Sequence, residues 1–223
     1  GKIKPEMSYT EEVGYRFHNH SIQASVAAYY VEFENRLLSI TQGTGVQGNP
    51  SVLTNVGGVT SRGIDAAFNY QFARNWSLYA SYAYNDSYYN DNVHSGDTTY
   101  QTQGKQVVAM PRNLANVQLG YDDGAIWGNV NMQYQGRRTY TYLNDAWVKP
   151  NDVFNLNLGY RFQSSNWVLR GLDAQINVSN LFNKRYVATV GSNGFVFSDP
   201  KHVFATLQAA SPRMVFFTLR KHF

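Results

Sequence analysis

Apolar and polar residues alternate along this chain with a period of two, run after run, and no stretch shows a competing helical period of comparable strength. In the run 9–17, Val13, Tyr15 and Phe17 alternate with Glu12, Gly14 and Arg16, and residues 18–21 read as a tight turn. The second run, 21 to about 40, aligns Ile22, Ala24, Val26, Ala28 and Tyr30 against Gln23, Ser25 and Tyr29. In the third, 59–72, Ile64, Ala66, Phe68, Tyr70 and Phe72 share a face, and only residues 73–75 separate it from the fourth. There Trp76, Leu78, Ala80, Tyr82 and Tyr84 oppose Ser77, Tyr79, Ser81 and Asn85.

The fifth run sets Ala115, Val117, Leu119 and Tyr121 against Asn116, Gln118 and Gly120, and Asp122, Asp123 and Gly124 form a hairpin signal. The sixth, 126 to about 142, alternates Val130, Met132 and Tyr134 with Asn129, Asn131, Gln133 and Gln135. The seventh is the cleanest, with Phe154, Leu156, Leu158, Tyr160 and Phe162 opposing Asn155, Asn157, Gly159 and Arg161. In the eighth, Leu172, Ala174, Ile176 and Val178 oppose Asp173, Gln175, Asn177 and Ser179. The ninth ends the chain in PRMVFFTLRKHF, where Val215, Phe217, Leu219 and Phe223 share one face. Between runs lie a loop at 41–55, full of Gly, Asn, Pro and Thr and expected to hold no strand, a polar stretch at 86–112 rich in Asn, Asp, Thr, Gln and Tyr, and loops at 144–150 and about 182–211.

Two regularities decide the class. The non-apolar face is Asn, Gln, Ser and Thr, whereas the outer face of a soluble sheet carries more Lys and Glu. An apolar outside with a neutral-polar inside is the pattern of a transmembrane barrel. The connections also alternate, short after Phe17, Phe72, Tyr121 and Phe162, and longer after Ile40, Asn85, Tyr142 and Phe182. Outer-membrane barrels join strands by short periplasmic turns and long extracellular loops. The expected fold is all-β, an antiparallel up-and-down barrel wall of nine strands with a periplasmic C-terminus. Phe17, Phe72, Trp76, Tyr121, Phe162 and Phe223 fall at one membrane boundary, and Tyr30, Tyr84 and Tyr134 nearer the other.

Composition sharpens this. Charged residues make up 15% of 223, against about 25% in soluble domains, while 17 Tyr, 13 Phe and 4 Trp supply interfacial rings. Mean hydropathy is negative, and no apolar run reaches the roughly 18 residues of a spanning helix. There is no Cys, so disulfides and thiolate metal sites are excluded. The net charge of +4 is scattered, which argues against a nucleic-acid partner. The first residues, GKIKPEMSYT, hold no signal peptide and no initiator Met, so the chain reads as a piece of something longer.

Five segments carry a resemblance: KPEMSYTEEVGYRF (4–17), NVGGVTSRGIDAAFNYQF (55–72), PRNLANVQLGY (111–121), VSNLFNKRY (178–186) and SPRMVFFTLRKHF (211–223). In order and spacing the chain resembles the C-terminal part of a TonB-dependent outer-membrane receptor, over nearly its whole length. The resemblance implies a barrel of about 22 strands around an N-terminal plug, with residues 1–223 as the last nine strands, lacking the plug and the TonB-contacting segment. It implies active import of a scarce ligand, with TonB, the barrel assembly machinery, outer-membrane lipid and lipopolysaccharide as partners. Ferric siderophore is the most common cargo; cobalamin, another metal or a saccharide are alternatives. The terminal aromatic Phe223 is, by the same resemblance, the assembly signal. Lys221 departs from the pattern, standing where an aromatic or apolar residue is usual.

No catalytic motif is present: there is no phosphate loop, nucleophile elbow or HExxH. No cofactor and no resident metal are expected; His18 and His20 make an HxH pair without a nearby third ligand. Tyr and Arg high on the wall are what would hold an anionic, aromatic chelate, so Tyr88, Tyr89, His94, Tyr100, Arg137, Arg138, Tyr140 and Tyr142 are the candidate ligand contacts. Arg137 or Arg138 pairing with lipopolysaccharide phosphate or a loop carboxylate is the plainer reading for those two. A passive porin-like channel would need opposed charge rows, and the inward faces are neutral amides. A barrel enzyme would need groups converging on His94.

Overall fold

The structure, a computed structural model, describes residues 4–41, 51–55, 57–95, 97–190 and 196–222. The chain begins with β1 (Met7–His18), β2 (Ile22–Glu34), β3 (Leu37–Thr41), β4 (Ser51–Asn55), β5 (Val59–Ala73) and β6 (Trp76–Tyr89). It continues through β7 (Val93–Ser95), β8 (Thr98–Tyr100), β9 (Asn113–Asp122), β10 (Ile126–Gln135), β11 (Arg138–Thr139) and β12 (Trp147–Val148). It closes with β13 (Asn151–Arg161), β14 (Leu172–Ser179), β15 (Val187–Val190), β16 (Leu207–Ala209) and β17 (Met214–Lys221). The nine long strands form one antiparallel meander in the order β1-β2-β5-β6-β9-β10-β13-β14-β17, and the short ones form four separate hairpins. All nine expected runs are present, and each long strand pairs with the next long strand in the chain.

The period-two pattern sets the faces. Register places Val13 opposite Ala28, Ala28 opposite Ile64 and Ile64 opposite Tyr84, so apolar side chains stack across strands on one face. That face is bare of protein: Val13 is 74% and Phe217 72% exposed. An aqueous sheet cannot leave such a face uncovered, since burying apolar area yields about 25 cal/mol per Å². A hydrocarbon solvent covers it. The opposite, luminal face is knitted by side-chain amides, Asn131 donating to Asn116 at 2.6 Å and Asn157 to Asn129 at 2.9 Å.

Short connections (residues 19–21, 74–75, 123–125 and 162–171) lie at one end of the sheet and long ones (35–58, 90–112, 136–150 and 180–213) at the other. Two of the short turns are built by Asx side chains. Asn19 Oδ1 accepts from the Ser21 and Ile22 amides, and Asp123 Oδ1 from those of Ala125 and Ile126. These two amides hold the Asp123 carboxyl below its ordinary value.

The long connections differ from expectation. The second run stops at Glu34, because Asn35 takes φ 54° and turns the chain into the β3–β4 hairpin. Residues 51–55, read as loop, are thus a strand; residues 42–50 lie outside the described residues. The fourth run continues to Tyr89, paired to Val59, although its tip is polar. The sixth ends at Gln135 rather than near Tyr142, and β7, β8, β12, β15 and β16 occupy the other expected loops. Each hairpin is too short to show a decisive period, and pairing rather than propensity creates it.

Two sequence oddities resolve structurally. In NLFNKRY, Asn180 and Asn183 both take positive φ, 51° and 53°. Asn180 Oδ1 accepts from the Lys184 amide at 2.8 Å, while its Nδ2 donates to the carbonyls of Lys184 and Ser211. The motif is a turn that joins the start of the last long connection to its end. Lys221, the departure in the terminal strand, donates from Nζ to the carbonyls of Trp167, Val168 and Arg170, at 2.9, 2.9 and 2.5 Å. It staples the turn at residues 166–170, whose Trp167 is 80% exposed, to the final strand.

On the luminal face Tyr29 crosses over Gly63 and its hydroxyl accepts from Asn85 Nδ2 at 2.6 Å, linking β2, β5 and β6. A Cβ on Gly63 would come within 2.5 Å of that hydroxyl and closer still to the Tyr84 carbonyl. Gly63→Ala is therefore expected to destabilise the barrel by about 1–3 kcal/mol, read as a lower unfolding temperature on heat-dependent gel mobility. Unchanged mobility would show that Tyr29 can move aside.

Candidate ligand-binding lumen and its cap

The luminal face bounds a concavity of about 1100 Å³ running from β1 to β13. Strand parity sends Glu12 and Arg16 of β1, Ser25 of β2, Asp65 of β5 and Ser81 of β6 into it, followed by Asn116, Gln133 and Asn151. Tyr186 and Ala188, from the last long connection, close its upper edge. Glu12, Asp65 and Arg16 are charged, and none belongs to the ion pairs found among the described residues. Asn151 is 5% exposed and its Nδ2 has no hydrogen-bond partner.

Above the concavity the long connections fold into a packed cap. One core holds Val59, Tyr89, Val93, Val108 and Tyr142, with Phe33, Val107 and Phe197 against it; a second holds Tyr140, Ala146, Val148 and Val190. Backbone bonds lace three connections together. Val107 donates to the Ser87 carbonyl, Ala109 to Thr139 and Leu143 to Phe197, at 3.0, 2.8 and 2.9 Å. Asn144, with φ 57°, brackets Gln106: its Oδ1 accepts the Gln106 amide at 2.6 Å and its Nδ2 donates to the Gln106 carbonyl at 2.9 Å.

Asp145 is the polar centre of the cap. Its carboxylate accepts from the Thr141 hydroxyl at 2.7 Å, from the Ser198 hydroxyl and from the Asp199 amide at 3.2 Å. Burial alone would raise its pKa; the donors of Ser198, Thr141 and Asp199 outweigh that and hold it below the ordinary carboxylate value. The neighbouring Asp199 is buried and accepts the Val203 and Phe204 amides at 2.7 and 3.0 Å.

The eight residues singled out from the sequence separate by position. Tyr89 and Tyr142 are 0% exposed, with rings 5.6 Å apart, and are the heart of the cap core. Burial pushes the Tyr142 phenol well above its usual value. Tyr140 is buried and hydrogen-bonded to His202 Nδ1. Arg138 is buried too, donating to the Val187 and Ala188 carbonyls at 2.6 and 2.9 Å, so its guanidinium ties β11 to β15. These four sit inside the cap and offer a ligand no surface in this conformation. Tyr88 turns to the outer face, beneath the Arg62 guanidinium at 5.6 Å. Tyr100 stacks on Phe197 at 3.6 Å. His94 is exposed at the β7–β8 tip, its Nδ1 2.9 Å from the Thr99 hydroxyl, and Arg137 is exposed over the Trp147 ring at 5.2 Å.

Sequence reading passed over Glu12, Asp65 and Asn151 as site residues, although their parity alone marks them as luminal. Among the described residues no group of three or more His, Asp or Glu is placed to hold a metal ion. Phe223 lies outside the described residues.

The family described as "TonB dependent receptor-like, beta-barrel" matches residues 1–181. The chain belongs to this family of receptor barrels. It is 30% identical over 148 residues to the ferrioxamine B receptor of Salmonella typhimurium, a match covering 64% of this chain and 20% of that receptor. It is 26% identical over 199 residues to the probable TonB-dependent siderophore receptor PiuA of Acinetobacter baumannii, covering 82% and 24%. The chain thus spans about a fifth to a quarter of the curated receptors it matches. Among solved structures, the ferric yersiniabactin uptake receptor FyuA from Yersinia pestis superposes with a TM-score of 0.74 at 20% identity, covering 98% of this chain and 30% of FyuA. The copper transporter OprC gives 0.72 at 22% identity, covering 98% and 32%. Those two likenesses establish the barrel fold, and the family is one of receptors rather than enzymes.

Because the folded-state pKa of Asp145 is depressed, its contribution to cap stability is complete above the ordinary carboxylate value near 4 and disappears as pH falls through the folded value. Amide exchange in residues 196–204, taken relative to its intrinsic rate at each pH, should therefore accelerate as pH falls below about 4. Asp145→Ala should accelerate it at neutral pH by about 1 kcal/mol and flatten the pH dependence. A variant whose exchange still responds to pH like the wild type would assign the effect elsewhere.

Proposed function

We propose that this chain supplies part of the wall and cap of an outer-membrane receptor that imports a ferric siderophore with energy relayed by TonB. The observation that carries the proposal is a luminal concavity lined by polar groups, roofed by a packed loop cap and backed by an apolar outer face. The siderophore receptors among its sequence relatives support this choice of cargo. In this arrangement the long connections face the exterior, the short ones and the C-terminus face the periplasm, and the outer face meets lipid and lipopolysaccharide. His94, Tyr100 and Arg137, which keep exposed or half-exposed surface at the cap, are the ligand contacts proposed from the original set. Tyr89, Arg138, Tyr140 and Tyr142 act through the cap's shape. Phe223 is the proposed signal to the barrel assembly machinery.

The test is uptake of radioactive iron by a strain carrying the complete receptor as its sole route for ferric siderophores. Uptake should be lost on deletion of the receptor and equally on deletion of TonB. Uptake that persists without TonB, or a large open conductance of the purified receptor in planar bilayers, would replace active import with a passive channel. Deleting Phe223 should lower the amount of assembled receptor severalfold while leaving the affinity of assembled molecules unchanged.

A further inference from the structure

Lys221, which departs from the usual pattern of the terminal strand, organises a second element besides its own. Register sets it opposite Leu172, in line with the Leu219–Ala174 and Phe217–Ile176 pairs, so it leaves the sheet on the apolar outer face. Its ammonium donates to the carbonyls of Trp167, Val168 and Arg170 at 2.9, 2.9 and 2.5 Å. Those carbonyls belong to a single helical turn. Asn166 opens it, its Oδ1 accepting the Val168 amide at 2.9 Å and its carbonyl the Leu169 and Arg170 amides at 3.1 and 2.8 Å. Gly171 closes it at φ 71°, where a Cβ would come within 2.5 Å of the His222 carbonyl oxygen. A helix end leaves carbonyls unsatisfied, and their aligned dipoles favour a cation among them. Lys221 therefore holds the turn on the outer side of the sheet, away from the lumen.

The turn carries Trp167, 80% exposed, and Val168, 51% exposed, side by side. Left in water, each Å² of their apolar surface forgoes about 25 cal/mol. Elsewhere at this end of the wall the outer face finishes in rings. Phe72 lies 6.4 Å from Trp76, Trp76 4.9 Å from Tyr121, and Tyr160 4.8 Å from Phe162. On β14 and β17 that belt is interrupted, for the last outward pair is Leu172 and Lys221. We infer that the turn restores it: Trp167 and Val168 lie in the headgroup layer of the lipid leaflet at the short-connection end, with Lys221 as the positioning residue that holds them there. An indole suits that layer, having an apolar body for the acyl side and an N–H for headgroups and water. Strands that complete the barrel pair along the far edge of β17, and the lumen lies behind the sheet, so lipid is what remains to cover the turn.

The test uses the complete receptor in vesicles of phosphatidylethanolamine and phosphatidylglycerol, with Trp167→Cys as its only cysteine, carrying a nitroxide. Collisions with oxygen, which concentrates in lipid, and with a water-soluble nickel chelate report the depth of the label, calibrated on lipids labelled at known positions. The oxygen-to-nickel ratio should match that of a lipid labelled at the headgroup or high on its acyl chain. Lys221→Met, which keeps the stem and loses the ammonium, should lower the ratio severalfold and loosen the label. Asn166→Ala frees the turn from its other end, should act in the same direction, and serves if Lys221→Met does not assemble by heat-dependent mobility. A ratio equal to that of a label in bulk water places the turn in the aqueous phase, open to a soluble partner, and overturns the inference. A label shielded from both probes is packed against protein and overturns it too. A depth unchanged in the variants overturns the positioning role of Lys221.

Discussion

Every feature of this molecule follows from the need to pair each backbone N–H and C=O where no water is available to do so. An antiparallel meander meets that need strand by strand, and it frees side chains on the outer face to be apolar without compromise. Val13, Phe217 and Leu219 stand off the sheet with no protein cover because the solvent they face is hydrocarbon. The same ladder fixes the lumen. Once one face is committed to lipid, period-two geometry commits the other to polar groups, and here those are amides that bond laterally, as Asn131 does to Asn116.

The two ends of the wall obey different physics. At the short-connection end, order is local: Asn19 and Asp123 each satisfy two amides within three residues, and Lys221 reaches the carbonyls of a single neighbouring turn. At the long-connection end order is collective. Tyr89, Tyr142 and Val93 are buried together in one core drawn from several connections. Asp145 plays the polar counterpart, drawing Thr141, Ser198 and Asp199 to one carboxylate. A cap built this way buries its own core while leaving His94 and Arg137 exposed.

The lumen beneath is nearly neutral, which gives its few charges weight. In a wall of amides and small residues, Glu12 and Asp65 are not diluted by neighbouring ion pairs. Arg161 and Asp122, by contrast, neutralise each other through a bidentate contact at 2.8 and 3.1 Å near the opposite end of the wall.

Alternation and loop chemistry by themselves determined the nine strands, which face of each is apolar and which end carries the long connections. These are local properties: each depends on a residue and its neighbours two positions away, and a sequence displays them openly. They also determined that Glu12, Asp65 and Asn151 point inward. Only the tertiary structure decided that Asp65 and Asn151 share a row, because register accumulates across several turns whose bulges and lengths no local pattern reveals. It alone decided that Tyr89 and Tyr142, chosen for their chemistry, are spent on packing, and that residues 51–55 form a strand. The physical reason is common to all three. A strand in a sheet advertises its environment by period, whereas a loop's structure is conferred by the surfaces it lands on, and those belong to other parts of the chain.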